Sequence, residues 1–466
     1  MRHDANRWVL TLSLSLVLGG GPFGHASVAL AEDQNAPPGD QGTPPGTNGG
    51  DNGDIQKRLE ELEQEVSAGK ARDAATVGAG KDGFFIRSAD GSNQLRIRGY
   101  VQSDAQFSRD DETQPATDTF LIRRARPIFE GTVNKIFDFR IVPDFGEGKT
   151  VLQEASLDWR LSTWARLMVG KYKAPFGLER LQSARDILFV VRAEPTNLVP
   201  NRDIGIEFHG DPLDGAVSYA LGVFNGVADG ASADADTNDG KEEAARVFFL
   251  PFKRTSVAAL QKLGIGVAAT YGTNKGTPTA TGLSPYKGAV NLNVFSYLSD
   301  GTAAGTTVAA GRRYRLSPQA FYYLGRLGAL AEYVTSSQEV KRGTSEDDLH
   351  HAAWQVAASF LLTHDQASFT GVSPKKPFDP GAHTWGAFEI VARVDRLKID
   401  DDSFPIYANP ATSVSEAKGW AAGVNWYLSK NVKIMLDCLQ TRFEGGAATG
   451  NREDEKVILN RFQIAF

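Results

Sequence analysis

Apolar and polar side chains alternate over the last ten residues, Val457 to Phe466, and the pattern stops on an aromatic carboxyl terminus. With a period of two, Ile458, Phe462, Ile464 and Phe466 share one face, while Leu459, Arg461, Gln463 and Ala465 share the other. This predicts a β-strand with lipid on one side and water on the other. A half-buried strand of a soluble sandwich would show the same alternation, so the remaining chain has to decide.

The pattern recurs. Leu95, Ile97, Gly99, Val101, Ala105 and Phe107 alternate with Arg96, Arg98, Tyr100, Gln102, Asp104 and Gln106. Ala125, Phe129 and Val133 oppose Arg124, Arg126 and Glu130, and Phe137, Phe139, Ile141 and Phe145 oppose Asp138, Arg140 and Asp144. Leu157, Trp159 and Leu161 then face away from Glu154, Asp158 and Arg160, and Arg313, Arg315, Ser317 and Gln319 face away from Tyr314, Leu316 and Tyr322. Polar connections such as 228–243, 273–285 and 445–455 separate some segments, whereas Gly325-Arg326-Leu327-Gly328 and Ser429-Lys430-Asn431 are tight turns. Long loops at one end and short turns at the other are expected of an outer-membrane barrel. The fold class is all-β: a transmembrane antiparallel β-barrel of about 16 strands over residues 84–466, wide enough to enclose an aqueous channel.

The amino-terminal part reads differently. Arg2 and Arg7, an apolar stretch from Trp8 to Leu18 and the sequence Ala29-Leu30-Ala31 predict a secretory signal peptide over residues 1–31. Residues 32–54 are a Pro/Gly-rich tether with too few apolar side chains to fold. Ile55, Leu59, Leu62 and Val66 then recur at heptad spacing, which predicts a short coiled-coil helix over 55–68 that helps subunits associate; a single solvated helix or a docking plug fits equally. Residues 69–83 form a linker.

Composition agrees with a barrel. A mean hydropathy of -0.29, with 48 Gly and 10% aromatics, is too polar for a helical membrane protein yet rich in turn and strand formers. No apolar run long enough for a spanning helix follows the signal segment. Removing residues 1–31 takes away two Arg and one Asp, so the formal charge goes from -6 to -7 and argues against a nucleic-acid partner. Cys438 is the only cysteine, which excludes an intrachain disulfide and leaves it as a small apolar side chain.

Candidate chemistry is sparse. Gly148-Lys149-Thr150 lacks the first glycine of a phosphate-binding loop, where Pro143 stands, and His350-His351 has no further ligand at metal-site spacing. Paired carboxylates such as Asp138 and Asp144 face arginines, and no Gly-x-Ser-x-Gly elbow occurs, so no catalytic residue, metal or cofactor is expected. The cluster Arg123-Arg124-Ala125-Arg126 splits between two strand faces and reads as a pore rim with Arg124 and Arg126 inward. Pore-lining positions are then Arg96, Arg98, Arg124, Arg126, Arg313 and Arg315.

The main departure from alternation is 171–202, which is long, broken by Pro175, Pro195 and Pro200, and carries Ile187-Leu188-Phe189-Val190-Val191. An external loop would not expose that apolar run, so the segment is expected to pack inside the barrel and narrow it. Its basic residues Lys171, Lys173, Arg180, Arg185, Arg192 and Arg202 outnumber Glu179, Asp186 and Glu194, which would make the constriction favour anions.

Several of these stretches carry a family resemblance. Phe120-Leu-Ile-Arg-Arg-Ala-Arg126, Val169-Gly-Lys-Tyr-Lys-Ala-Pro-Phe-Gly-Leu-Glu179, Ser183-Ala-Arg185, Pro200-Asn-Arg-Asp-Ile-Gly205, Gly423-Val-Asn-Trp-Tyr427 and Arg461-Phe-Gln-Ile-Ala-Phe466 are similar to signatures of the phosphate-selective porin O and P family. The resemblance implies a homotrimeric, 16-stranded porin in the outer membrane of a diderm bacterium, with its third loop folded into the lumen. It also implies small inorganic anions, phosphate among them, as solutes, outer-membrane lipid around the barrel, and a terminal Phe466 strand read by the barrel assembly machinery.

Overall fold

A computed structural model describes residues 52–73, 75–80, 83–109, 112, 116–236 and 238–466. The proposed signal peptide and most of the tether therefore lie outside the described residues. Residues Asn52–Asp73 form one α-helix, longer at both ends than the two heptads predicted. Ile55, Leu59 and Leu62 are all more than half exposed on it.

Sixteen antiparallel strands close into a barrel. They run Gln94–Arg109, Thr119–Val133, Phe137–Asp144, Val151–Arg160, Arg166–Lys173, Arg202–Gly210, Val217–Phe224 and Glu242–Phe249. The second half comprises Leu263–Lys275, Val308–Leu324, Leu327–Arg342, Ser345–Leu361, Ala387–Lys398, Val414–Tyr427, Val432–Gly445 and Glu455–Ala465. Each strand pairs with its neighbour in sequence, and the last pairs with the first, with Arg461 directly opposite Asp104. A closed barrel leaves no sheet edge unpaired in lipid. Among the described residues no helix is long and apolar enough to cross a membrane.

The alternation predicted for the last strand is observed, inverted relative to a soluble protein. Phe462, Ile464 and Phe466 are exposed on the outer wall, while Arg461 and Gln463 are buried inside. Trp420, Val424, Leu436 and Cys438 likewise face outward. An apolar outer face of this kind suits a lipid surrounding, and the polar face is covered by the contents of the lumen.

Sequence spacing and structure part in three places. A hairpin of Thr76–Gly80 and Gly83–Arg87 precedes the barrel, and its second strand pairs with residues 94–97, just beyond the reach of the carboxyl-terminal strand. The alternation of long and short connections breaks most clearly at three points: only 343–344 join two strands at the long-loop end, and 250–262 and 362–386 are long excursions at the short-turn end. The strand Thr119–Val133 also contains a β-bulge. Gln102 pairs with Arg124 while Ser103 pairs with Ile122, so Arg123 is an extra residue without a partner position. Phe120 and Ile122 point outward before the bulge, and the parity then shifts by one, so Arg123 and Arg124 both reach the lumen.

The seam is closely packed. Gly99 exchanges two backbone hydrogen bonds of 2.9 Å with Phe466, and a Cβ at Gly99 would lie 2.8 Å from both the Phe466 ring and the Arg126 carbonyl oxygen. Gly99→Val is expected to lower barrel stability by about 1–3 kcal/mol, as overpacking does. The check is a lower temperature for loss of the folded, fast-migrating form on gels.

Candidate functional site

The connection 174–201 turns into the lumen, and the wall holds it along its length. Leu178, Leu188, Phe189 and Val190 pack against the inward-facing Leu330, Ala357, Val391, Ala421, Met435 and Leu439. This apolar patch explains how a buried run such as Ile187–Val191 is accommodated inside a porous barrel.

The backbone of the connection would be expensive to bury without partners. Side chains from six different strands supply them. Gln102 donates to the Ala184 carbonyl oxygen at 2.9 Å, Gln463 to Arg185 at 3.1 Å, Lys433 to Ile187 at 3.0 Å, Asn425 to Leu188 at 3.0 Å and Arg393 to Val191 at 2.9 Å. Asp437 accepts from the Val190 amide at 2.6 Å. Glu332 accepts from the Leu178 amide at 2.6 Å, and Gln355 bridges Glu332 and Glu179.

Two cavities of ≈ 550 Å³ lie on either side of this connection. One is bounded by the connections 225–241 and 276–307; the other runs along the wall formed by the second to fifth barrel strands. Four residues line both: Arg123, Arg124, Arg180 and Arg192. The junction between the two water-filled spaces is thus made of guanidinium groups. The second cavity carries nine Arg or Lys side chains against three Asp or Glu, so the excess positive charge extends beyond the junction.

Pairing separates these cations. Arg123 is paired with Glu147. Arg124 donates to Gln102 Oε1 at 2.8 Å, Arg180 to the Thr196 carbonyl oxygen at 2.7 Å, and Arg192 to the carbonyl oxygens of Glu179 at 3.2 Å and Gln182 at 2.9 Å. Lys173 donates to Leu181 and Gln182 carbonyl oxygens. Among the described residues no carboxylate lies within the 4.0 Å of an ion pair from Arg124, Arg180, Arg192 or Lys173. Burial, then the neighbouring Arg192 and Arg202, push Arg180 down to about 9, and burial also lowers Arg192. The Glu179 carboxylate offsets part of this at Arg192 without making an ion pair.

The other positions singled out by sequence fall elsewhere. Arg202 lines the second cavity but pairs with Glu154 at 3.0 Å. Arg126 also lines it and pairs with Asp144 at 2.7 Å. Arg98 pairs with Glu130 at 2.8 Å, and Arg96 lines a separate cavity of ≈ 370 Å³. Lys171 is buried against Asp234 and lines neither large cavity, while Arg185 pairs with Asp186 at 3.4 Å. Arg313 and Arg315 are locked in a buried cluster with Glu242 and Asp229. Arg123 was missed because strict alternation points it at lipid. The parity change between Ile122 and Ala125 was the available signal.

A sequence model of the family described as phosphate-selective porin O and P matches residues 95–466. The chain belongs to that family. Porin O of Pseudomonas aeruginosa is 23% identical over 415 residues, covering 83% of this chain and 91% of that protein. Among solved structures, the outer membrane channel DcaP of Acinetobacter baumannii matches with a TM-score of 0.52 at 10% identity, over 83% of this chain and 100% of that one. The outer membrane protein OmpT of Vibrio cholerae matches with a TM-score of 0.51 at 9% identity, over 80% and 98%. These two likenesses show the barrel fold. The protein is an outer-membrane porin, located in the bacterial outer membrane, and a channel rather than an enzyme.

In this porin the loop is fastened at its first turn by Glu332, a clamp that sequence alone did not reveal. Glu332→Ala leaves the Leu178 and Glu179 amides without their acceptor, and buried unpaired donors cost about 1–3 kcal/mol each. The expected result is a barrel that still folds but shows larger and noisier single-channel conductance. A trace indistinguishable from the parent porin would show that the clamp does not restrain the loop.

Proposed function

We propose that the porin conducts small anions, phosphate among them, through the junction of Arg124, Arg180 and Arg192. The observation that carries this is the coincidence of the two cavities at arginines that, among the described residues, have no carboxylate within ion-pair distance. Guanidinium donors replace part of an oxyanion's hydration shell, and successive moderate sites, here Arg124, Arg192, Arg180 and Lys173, let the ion move on. A trimer is part of the same reading. OmpT of Vibrio cholerae is described in a trimer form, and its structure matches with a TM-score of 0.50 at 11% identity, over 80% of this chain and 100% of that one. The exposed row Ile55, Leu59 and Leu62 is the pattern of an associating helix. Outer-membrane lipid around the wall, recognition of the Phe466 strand by the barrel assembly machinery, and export through residues 1–31 complete the proposal.

Planar-bilayer conductance under a chloride gradient, followed by phosphate titration, tests it. An anion-selective zero-current potential with block by phosphate supports the proposal. Weak selectivity without block would favour a general diffusion porin, a reading to which the Arg98–Glu130, Arg126–Asp144 and Arg202–Glu154 pairs lend support. A mainly structural role as an outer-membrane tether would be favoured if deleting residues 32–82 harmed envelope integrity and left conductance intact.

A further inference from the structure

The cavity bounded by the connections 225–241 and 276–307 is not uniformly basic. Three carboxylates stand on its wall. Asp395 is paired with Arg393 at 2.9 Å and Asp229 with Arg315 at 2.7 Å. Glu194, in the short turn Glu194–Asn197 of the inward connection, has no cation within ion-pair distance among the described residues. It is 7% exposed, one oxygen accepts from Asn197 Nδ2 at 2.9 Å, and among the described residues no hydrogen bond reaches the other.

Its surroundings leave a positive charge missing. Nearby Glu455 is matched by Arg452 at 3.3 Å, so the carboxyl groups of Glu194, Asp395 and Glu455 share only two guanidiniums. Burial, then Asp395 and Glu455, push the Glu194 carboxyl well above the usual carboxylate range, the response of a buried acid that lacks a counter-ion. The same cavity presents the opposite deficit on Arg180 and Arg192, whose donors meet only backbone carbonyls. One space therefore offers guanidiniums and a carboxyl that each lack an ion-pair partner among the described residues, a pattern that a plain inorganic anion satisfies by half.

We propose that this cavity binds small zwitterionic solutes that join a phosphate or carboxylate to a primary ammonium. The anionic group rests on Arg180 and Arg192, and the ammonium rests on Glu194. The inference depends on the anion-channel reading above, because it uses the same arginines. It adds selection by a second charge, so that net charge alone does not rank the solutes.

The test compares phosphoethanolamine with ethyl phosphate, similar in size but differing in the amine, as blockers of current through the full-length porin in planar bilayers at pH 7. Phosphoethanolamine, although less negative overall, is expected to block at about tenfold lower concentration, the effect of one buried charge-assisted contact. Glu194→Gln, which keeps an acceptor for Asn197, is expected to abolish that ratio. A wild-type porin that ethyl phosphate blocks as well or better would overturn the inference while leaving the anion channel standing. A preference that survives Glu194→Gln would overturn the assignment to Glu194. Block by neither compound would overturn this inference, and would take the anion-channel reading with it only where the zero-current potential also shows no anion selectivity.

Discussion

Replacing Arg180 and Arg192 together by glutamate is expected to shift the pore's preference toward cations, read as a change of sign in the zero-current potential across a salt gradient. Each substitution changes the local charge by two at a point lining both cavities. In water two unit charges 4 Å apart interact by about 1 kcal/mol, and at the effective dielectric constant near a protein surface by about 4 kcal/mol. Even the lower figure, summed over both changes, exceeds the ~1.4 kcal/mol that corresponds to a factor of ten. The permeability ratio should therefore move at least tenfold, by roughly that arithmetic. Arg180→Gln with Arg192→Gln keeps donors for the Thr196, Glu179 and Gln182 carbonyl oxygens and should give an intermediate shift. Lys171→Glu is the control: its amine is spent on Asp234 away from both cavities, so the sign should not change. A double glutamate variant that folds and keeps the parental potential would remove these arginines from the selectivity mechanism.

Removing the Asp104 carboxylate is expected to have the largest effect on stability. Asp104 and Arg461 face each other across the strand pair that closes the barrel, joined by two hydrogen bonds of 2.7 Å. Their side chains are 6% and 0% exposed. Asp104→Ala leaves a buried guanidinium without its partner, which costs about 3–5 kcal/mol. The variant should lose its heat-resistant gel form at a clearly lower temperature. Changing both residues to leucine should recover much of the loss, because an apolar pair of similar volume carries no desolvation penalty. If the double variant melts with the single one, the seam depends on the charge pair for more than compensation.

Much of the barrel was legible because a strand places successive side chains on opposite faces whatever its neighbours are. Val457–Phe466 and Leu95–Phe107 could be assigned a lipid face and a lumen face from spacing alone, and the structure agrees. The inward path of 174–201 was legible for a related reason: Ile187–Val191 is too apolar for an external loop. The candidate site was less so. Lys171, Arg313 and Arg315 had the right charge and parity, yet each meets a carboxylate from a distant strand or connection. Arg123 had the wrong parity, because a bulge changes the face without leaving a distinctive residue behind.

The sequence by itself determined which side chains form the outward apolar face, where the chain must leave the wall, and that the segment doing so is basic, since these follow from local periodicity and apolar content. Only the tertiary structure decided which basic groups remain uncompensated. Ion pairing is set by distance in space, and the folded barrel brings Glu154 to Arg202 and Asp144 to Arg126 while leaving Arg124, Arg180 and Arg192 at the junction of the two cavities without an ion-pair partner among the described residues.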